Sequence, residues 1–440
     1  MRYLSERSSI TATSRTPEEG DLTLSAERAT PFLTATKAEE VRKRFGTPCY
    51  VYDRASLEAA ARQALAFGAP SGFTLRYAMK ANPSRGVLGV FRALGLHIDA
   101  SSDWEVERAL GAGFAPGQIL LTSQMPSARL AEHVARGVGL NACSLHQLEA
   151  IGRAAPGRAI AIRVNPGLGS GSTKRTNTGG PAASFGIWHD YVGDAKALAA
   201  RHGLTIRTLH THIGSGTDPE VWKRATRMTL DLVAQLPEVK VVNLGGGFKV
   251  GRMPEEPTVD MAEVGAHVRQ ELESFRERDG RALGLEIEPG TYLVARAGAV
   301  VATCMDVVDT GKDGYLFAKL DTGMTEVTRP SLYGAQHPID VVSGAGREPA
   351  EVVFVGPCCE SGDVLTPAPG DPEALGPRWV PRPRVGDLVV VGGAGAYCSA
   401  MSTINYNSYP QAPEVMLEPD GSLRLLRKRQ SFEQMLVNEV

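Results

Sequence analysis

Lys80 ends an apolar run in the segment Tyr77-Ala-Met-Lys80-Ala-Asn82. An amine so placed can condense with an aldehyde when burial or a neighbouring cation favours its neutral form. Three later groups add to it. His210-Thr-His212-Ile-Gly-Ser215 brings an imidazole and a small hydroxyl together, and Gly245-Gly246-Gly247 leaves backbone N–H groups free to approach an anion. Glu286-Ile-Glu288-Pro289-Gly290 puts two carboxylates on one side of an alternating strand. Each group alone has a plainer explanation: a strand-ending lysine, a satisfied histidine, a tight turn, a carboxylate paired with arginine. Together they supply an amine, an anion cradle and a carboxylate that could keep a ring nitrogen protonated. Those are three separate needs of one phosphorylated pyridine aldehyde.

The elements that would position these groups follow a strand-then-helix rhythm. Candidate strands cover residues 73–79, 97–101, 119–123, 139–143, 159–165, 206–213, 239–244 and 284–288. They are short and apolar on both faces, as strands buried in a parallel sheet are. Helical periodicity lies between them: over 219–236 with Asp218 as N-cap and Pro219 at the first position, and over 261–275 with Val264, Val268, Leu272 and Phe275 on one face. Eight units predict a (β/α)8 TIM barrel over residues 70–296, in preference to a doubly wound open sheet. Lys80, His212, the glycine triplet and Glu288 would then all sit at the C-terminal ends of strands, where barrel active sites form. After residue 296 alternating β-rich stretches predict an antiparallel β-barrel or sandwich over 297–440, with no regular helices and a proline-rich surface loop at 367–383. Residues 31–69 hold a strand at 49–52 and a helical run at 54–67, and that strand has a place only with the C-terminal β-domain. Residues 1–30 read as a disordered tail.

Composition narrows the field further. A net charge of −2 without a dense basic face argues against nucleic acid, and no apolar run approaches the length of a membrane span. The first thirty residues lack the apolar core of a secretory signal. Six scattered cysteines, none in a Cys-x-x-Cys pair, predict no metal site and reduced thiols in a cytoplasm.

From about residue 47 to 415 the chain resembles the fold-type III pyridoxal 5′-phosphate (PLP) decarboxylases, whose barrel is alanine racemase-like, and is most similar to the diaminopimelate-cleaving branch. Seven motifs in order carry the likeness: Tyr77-Ala-Met-Lys-Ala-Asn82, His212-Ile-Gly-Ser215, Gly245-Gly-Gly247, Glu288-Pro-Gly290, Arg329-Pro-Ser-Leu-Tyr333, Cys359-Glu-Ser-Gly-Asp363 and Gly395-Ala-Tyr-Cys398. The resemblance implies that Lys80 holds the cofactor covalently and His212 stacks on its ring. It assigns the phosphate to Ser215, Gly245, Gly246, Gly247 and Tyr397, and the ring nitrogen to Glu288, with Pro289 and Gly290 shaping the same turn. Asp99 and Arg163 match positions that shape the cofactor site, Cys359 matches the general acid, and Glu360 the ligand of the substrate's far amino group. Spacing alone leaves Cys358 as a rival to Cys359; the motif selects Cys359. Arg329 and Tyr333 are implied to hold a distal carboxylate, with Tyr397 also beside the substrate. A head-to-tail homodimer with shared sites follows, the Cys-Glu segment entering the partner's site.

The implied reaction is decarboxylation of meso-2,6-diaminoheptanedioate to L-lysine and CO2, a step of lysine biosynthesis. A paralogous decarboxylase of an ornithine- or lysine-like substrate is the first alternative. An amino-acid racemase is the second, disfavoured because its ring nitrogen faces arginine where Glu288 stands here. One departure favours the paralogue: relatives read Glu-Pro-Gly-Arg, and this chain has Thr291 in fourth place. The long segment 167–181 carries Lys174 and Arg175, either of which could restore that charge.

Overall fold

The computed structural model describes residues 30–169, 178–212, 214 and 216–440. Phe73–Ala78, His97–Ala100, Ile119–Leu121, Gly139–Ala142, Ala159–Asn165, Thr205–Thr211, Val241–Asn243 and Gly284–Ile287 form a parallel sheet in which each strand lies beside the next. Leu285 of the eighth strand pairs with Phe73 of the first, so the sheet closes into the expected eight-stranded barrel. Ile187–Trp188 adds a short strand beside the fifth, with Ile187 opposite Val164.

Local sequence explains the helices that wrap the barrel. Asp218 accepts a hydrogen bond from the Glu220 N–H and Pro219 opens the helix Pro219–Ala234, which buries Trp222, Ala225, Leu230 and Val233. Asp260 accepts from the N–H groups of Ala262 and Glu263 at the start of Met261–Asp279. That helix runs one turn beyond its periodic apolar face and stops at Gly280, whose φ of 83° gives a left-handed cap.

The strand Cys49–Asp53 pairs antiparallel with Gly298–Asp309 and parallel with Glu414–Leu417, which places it inside the second sheet. It is buried on both faces because its residues alternate between two apolar clusters. Tyr50 and Tyr52 join the core that runs on into the barrel, whereas Cys49 and Val51 pack with Val301, Val390 and Val415 under the helix Ala35–Phe45. The second domain is mostly antiparallel, with a further parallel pair between Leu316–Leu320 and Pro349–Val355.

Two expectations for this half need correction. The stretch 367–383 is not a loop: Pro367–Ala368 and Asp371–Leu375 form a hairpin, and Arg378–Pro381 pairs antiparallel with Pro349–Val355. Its prolines sit at strand ends and on an edge, where a missing N–H costs no ladder bond. Short helices also occur, at Arg329–Tyr333 and Phe432–Leu436. The first begins with Pro330 in its opening turn and ends at Gly334, φ 62°.

Candidate active site

The first barrel strand ends in a 3-10 turn, Met79–Ala81, and its middle residue Lys80 projects into a cavity of about 480 Å³ at the C-terminal rim. Burial alone would depress the Lys80 ammonium, but Tyr397 and Asp99, aided by Glu288, hold its pKa above the usual lysine value. The sequence argument expected a depressed amine. The difference arises because acidic groups, rather than apolar ones, face it.

The two carboxylates of the eighth strand divide their tasks. Arg76 donates from Nε and Nη2 to Glu286 at 2.9 and 2.8 Å, a buried bidentate pair. Glu288 instead reaches the cavity, with Oε1 accepting from Asn243 Nδ2 at 2.7 Å and Oε2 3.0 Å from His210 Nε2. Burial would raise the Glu288 pKa; His210 and Asn243 outweigh it, so this carboxylate stays ionised. Asp99, at the end of the second strand, is pushed the other way, by burial and then by Glu288.

Asn243 ties this carboxylate to the glycine turn, since its Oδ1 accepts the Gly245 N–H at 2.8 Å. Gly245 and Gly247 have φ of 67° and 97°. A Cβ on Gly246 would lie 2.3 Å from the Glu288 carbonyl oxygen, so no larger residue fits between the seventh and eighth strands. The N–H groups of Gly246 and Gly247 have no partner among the described residues. Pro289 lies behind the cavity and accepts a bond from the Ala78 N–H at 3.3 Å, while Gly290 lines it. His212 lines it too, and burial, then Arg163 and Lys80, hold its imidazole neutral. Arg163 stacks over Phe185 at 5.0 Å. Arg329, Tyr333 and Tyr397 enter from the second domain, the last with a left-handed backbone at φ 55° and its N–H bonded to Ala81 O at 2.9 Å.

Two sequence candidates stand elsewhere, and a third is not among the described residues. Ser215, like Lys174 and Arg175, lies outside the described residues. Cys359 and Glu360 are exposed on the loop between Pro349–Val355 and Pro367–Ala368, away from the cavity of their own chain. The Cys359 N–H donates to Asn407 Oδ1 at 2.8 Å, and Glu360 Oε1 accepts from the Gly362 N–H at 3.0 Å. At Cys358, burial and then Asp363 push the thiol up to about 12.

Sequence reasoning gave no role to His210, Asn243 or Arg252. His210 shares the side of its strand with His212, and Asn243 is a polar residue at the end of an otherwise apolar Val241–Asn243 strand; both signals were present. Arg252 carried none, because it lies in irregular chain five residues past the glycines.

Residues 55–295 match the family model described as "Pyridoxal-dependent decarboxylase, pyridoxal binding domain". The chain belongs to this family. It is 37% identical over 423 residues to a diaminopimelate decarboxylase of Streptomyces coelicolor, covering 93% of this chain and 92% of that protein. The Escherichia coli K12 diaminopimelate decarboxylase is 33% identical, with 93% and 97% covered. Among solved structures, one diaminopimelate decarboxylase superposes with a TM-score of 0.85 at 32% identity, over 91% of this chain and 95% of its own. That of Helicobacter pylori, complexed with L-lysine, gives 0.81 at 27% identity, over 91% and 98%.

The family's cofactor is PLP, and the cavity suits it. Besides the Lys80 amine and the unengaged glycine N–H groups, four buried polar atoms lack a partner among the described residues: Asp99 Oδ1, Arg163 Nη2, His210 Nδ1 and His212 Nδ1. Orphaned polar atoms at this density mark a place that a polar ligand completes.

Proposed function

We propose that the chain decarboxylates meso-2,6-diaminoheptanedioate at its D-centre, giving L-lysine and CO2 in lysine biosynthesis. The observation that carries this reading is Arg329, a guanidinium on the cavity of Lys80 and Glu288 with no carboxylate within ion-pair reach among the described residues. A substrate with a second carboxylate supplies the missing partner. An ornithine- or lysine-like substrate would leave that cation desolvated and unpaired, at a cost of about 1–3 kcal/mol.

Bound in the cavity, the cofactor supplies an electron sink for the pair left on the α-carbon when the bond to the departing carboxylate breaks. The residues do the rest. Lys80 holds the cofactor covalently, and Glu288, ionised, keeps a protonated ring nitrogen in place. His212, neutral, offers a flat face without adding charge. Gly246 and Gly247, with Ser215 and Tyr397, cradle the phosphate. Asp99 and Arg163 shape the cofactor site. Cys359 returns a proton to the α-carbon and Glu360 binds the far amino group, both across a homodimer interface. Their exposed loop supports that arrangement, because neither side chain is among those lining the cavity of its own chain. In this reading residues 70–296 bind the cofactor, 297–440 add the substrate end, and 31–69 join the two. All six cysteines are free, which suits a cytoplasmic setting.

The test is L-lysine and CO2 formation from meso-diaminopimelate by the PLP-loaded protein and by Arg329→Ala. Wild-type turnover with a loss of roughly ten-fold or more in kcat/KM for Arg329→Ala is expected. No CO2 from this substrate, or an unaffected variant, would refute the reading.

A further inference from the structure

Arg252 stands on the same cavity as Arg329, on a built support. The turn that carries it is braced twice: the Arg252 N–H donates to Glu256 Oε2 at 2.8 Å, and Arg296 Nε donates to Gly251 O at 2.7 Å. From there the side chain crosses onto the second domain. It passes over Gly393, where a Cβ would lie 2.9 Å from its Cγ, so glycine keeps the track open. Nε then donates to Gly393 O at 2.8 Å and Nη2 to Ala396 O at 3.2 Å. Nη1 has no partner, and no carboxylate lies within 4.0 Å of the guanidinium, among the described residues.

Arg329 is fixed in a comparable way. Its Nη1 donates to His337 Nε2 at 2.8 Å, while His337 Nδ1 lies 2.8 Å from Gly392 O. A carbonyl only accepts, so Nδ1 carries the proton, Nε2 is the acceptor, and His337 is neutral. Arg252 and Arg329 thus share one cavity, each held by neutral acceptors, and Glu256, the lining carboxylate that acts on both, lies beyond ion-pair reach of either guanidinium among the described residues. Such a pair repels until an anion arrives. Burial, then Arg329, lowers the Arg252 pKa, while Tyr397, which also acts on Lys80, raises it. Arg252 is held by the Gly393 carbonyl and Arg329, through His337, by the adjacent Gly392 carbonyl, so Arg252 belongs to the Arg329 end of the cavity. The turn after the eighth strand brings Thr291, which has no charge, so the loop after the seventh provides the second cation.

We propose that Arg252 is a second, specificity-determining anchor for the substrate carboxylate remote from the reacting carbon, gripping it together with Arg329. This rests on the substrate proposed above. L-Lysine keeps that carboxylate and pentane-1,5-diamine lacks it, so the two amines isolate the contact. The experiment compares PLP-loaded wild type, Arg252→Met and Arg252→Lys. It measures kcat and KM on meso-diaminopimelate, dissociation constants of both amines by calorimetry, and PLP affinity by absorbance titration.

For Arg252→Met, KM and the L-lysine constant should rise roughly ten-fold or more, with diamine and PLP binding unchanged and Arg252→Lys intermediate. Unchanged L-lysine binding would overturn the inference. So would equal weakening of both amines, or a loss of PLP affinity, which would make Arg252 a phosphate ligand. If Arg252→Met does not fold, the L-lysine and diamine constants of Arg252→Lys decide alone. A wild type that binds L-lysine but releases no CO2 fails the proposed reaction instead, and the two failures remain distinct.

Discussion

Glu326 shows how one side chain reports its surroundings. It is buried, with Oε2 accepting from Thr322 Oγ1 at 3.0 Å and Thr325 Oγ1 at 2.7 Å. Burial nevertheless raises its pKa from 4.5 to about 7. An acid whose folded pKa lies above its unfolded value favours folding fully below pH 4.5, and that contribution fades as pH rises through 7. Glu326→Gln keeps an acceptor and carries no charge. It should therefore exceed wild type in stability at about pH 8.5, by up to ~3 kcal/mol, with the gap closing toward about pH 5. Urea unfolding at the two pH values measures this, and a pH-independent difference would contradict it. At the same scale, alternation alone did not separate Glu286 from Glu288, and the choice of Glu288 came from the family motif. Only Arg76, reaching across from the first strand, separates the paired carboxylate from the one left for the cavity.

Elements position the site through glycines that differ in what surrounds them. In Gly246→Ala the new methyl would meet the Glu288 carbonyl at 2.3 Å, and neither backbone can yield because both are strand ends joined by the Glu288 N–H to Gly245 O bond of 2.7 Å. That variant should lose about 1–3 kcal/mol of stability and most of its PLP, read by thermal unfolding and by absorbance. Gly89, inside the helix Arg85–Ala93, has open space where a Cβ would go. Gly89→Ala should stabilise by about 0.5–1 kcal/mol and leave kcat unchanged. Were the two variants equally harmful, the close approach at Gly246 would not be what requires glycine there. Helix caps at Asp218 and Asp260 were legible in the sequence because capping is a local interaction. The strand pairing of Arg378–Pro381 was not, because it depends on a partner some thirty residues away in the chain.

At the scale of the molecule, the cavity lies where barrel rim and second domain meet, with Lys80 and Glu288 on one side and Arg252, Arg329 and Tyr397 converging from the other. Cys359 lies outside it. A shared site predicts complementation: Lys80→Ala and Cys359→Ala should each be nearly inactive, and mixing them under conditions of subunit exchange should restore activity, because some mixed dimers carry one intact site. Decarboxylation assays on the mixture measure this, and exchange without recovery would rule out a shared site.

The order of strands and helices, the closed barrel and the convergence of Lys80, His212 and Glu288 on one cavity could be read from the chain itself. Periodicity, caps and motif spacing are properties of neighbours, and strand ends of a barrel converge by topology alone. Tertiary structure decided what depends on contacts between distant segments. It set which glutamate remains free, that Asn243 and His210 hold it, and that the Lys80 ammonium is stabilised rather than depressed. It also brought Arg252 beside Arg329, because charge in a folded protein is set by what burial leaves nearby, and no local pattern records that.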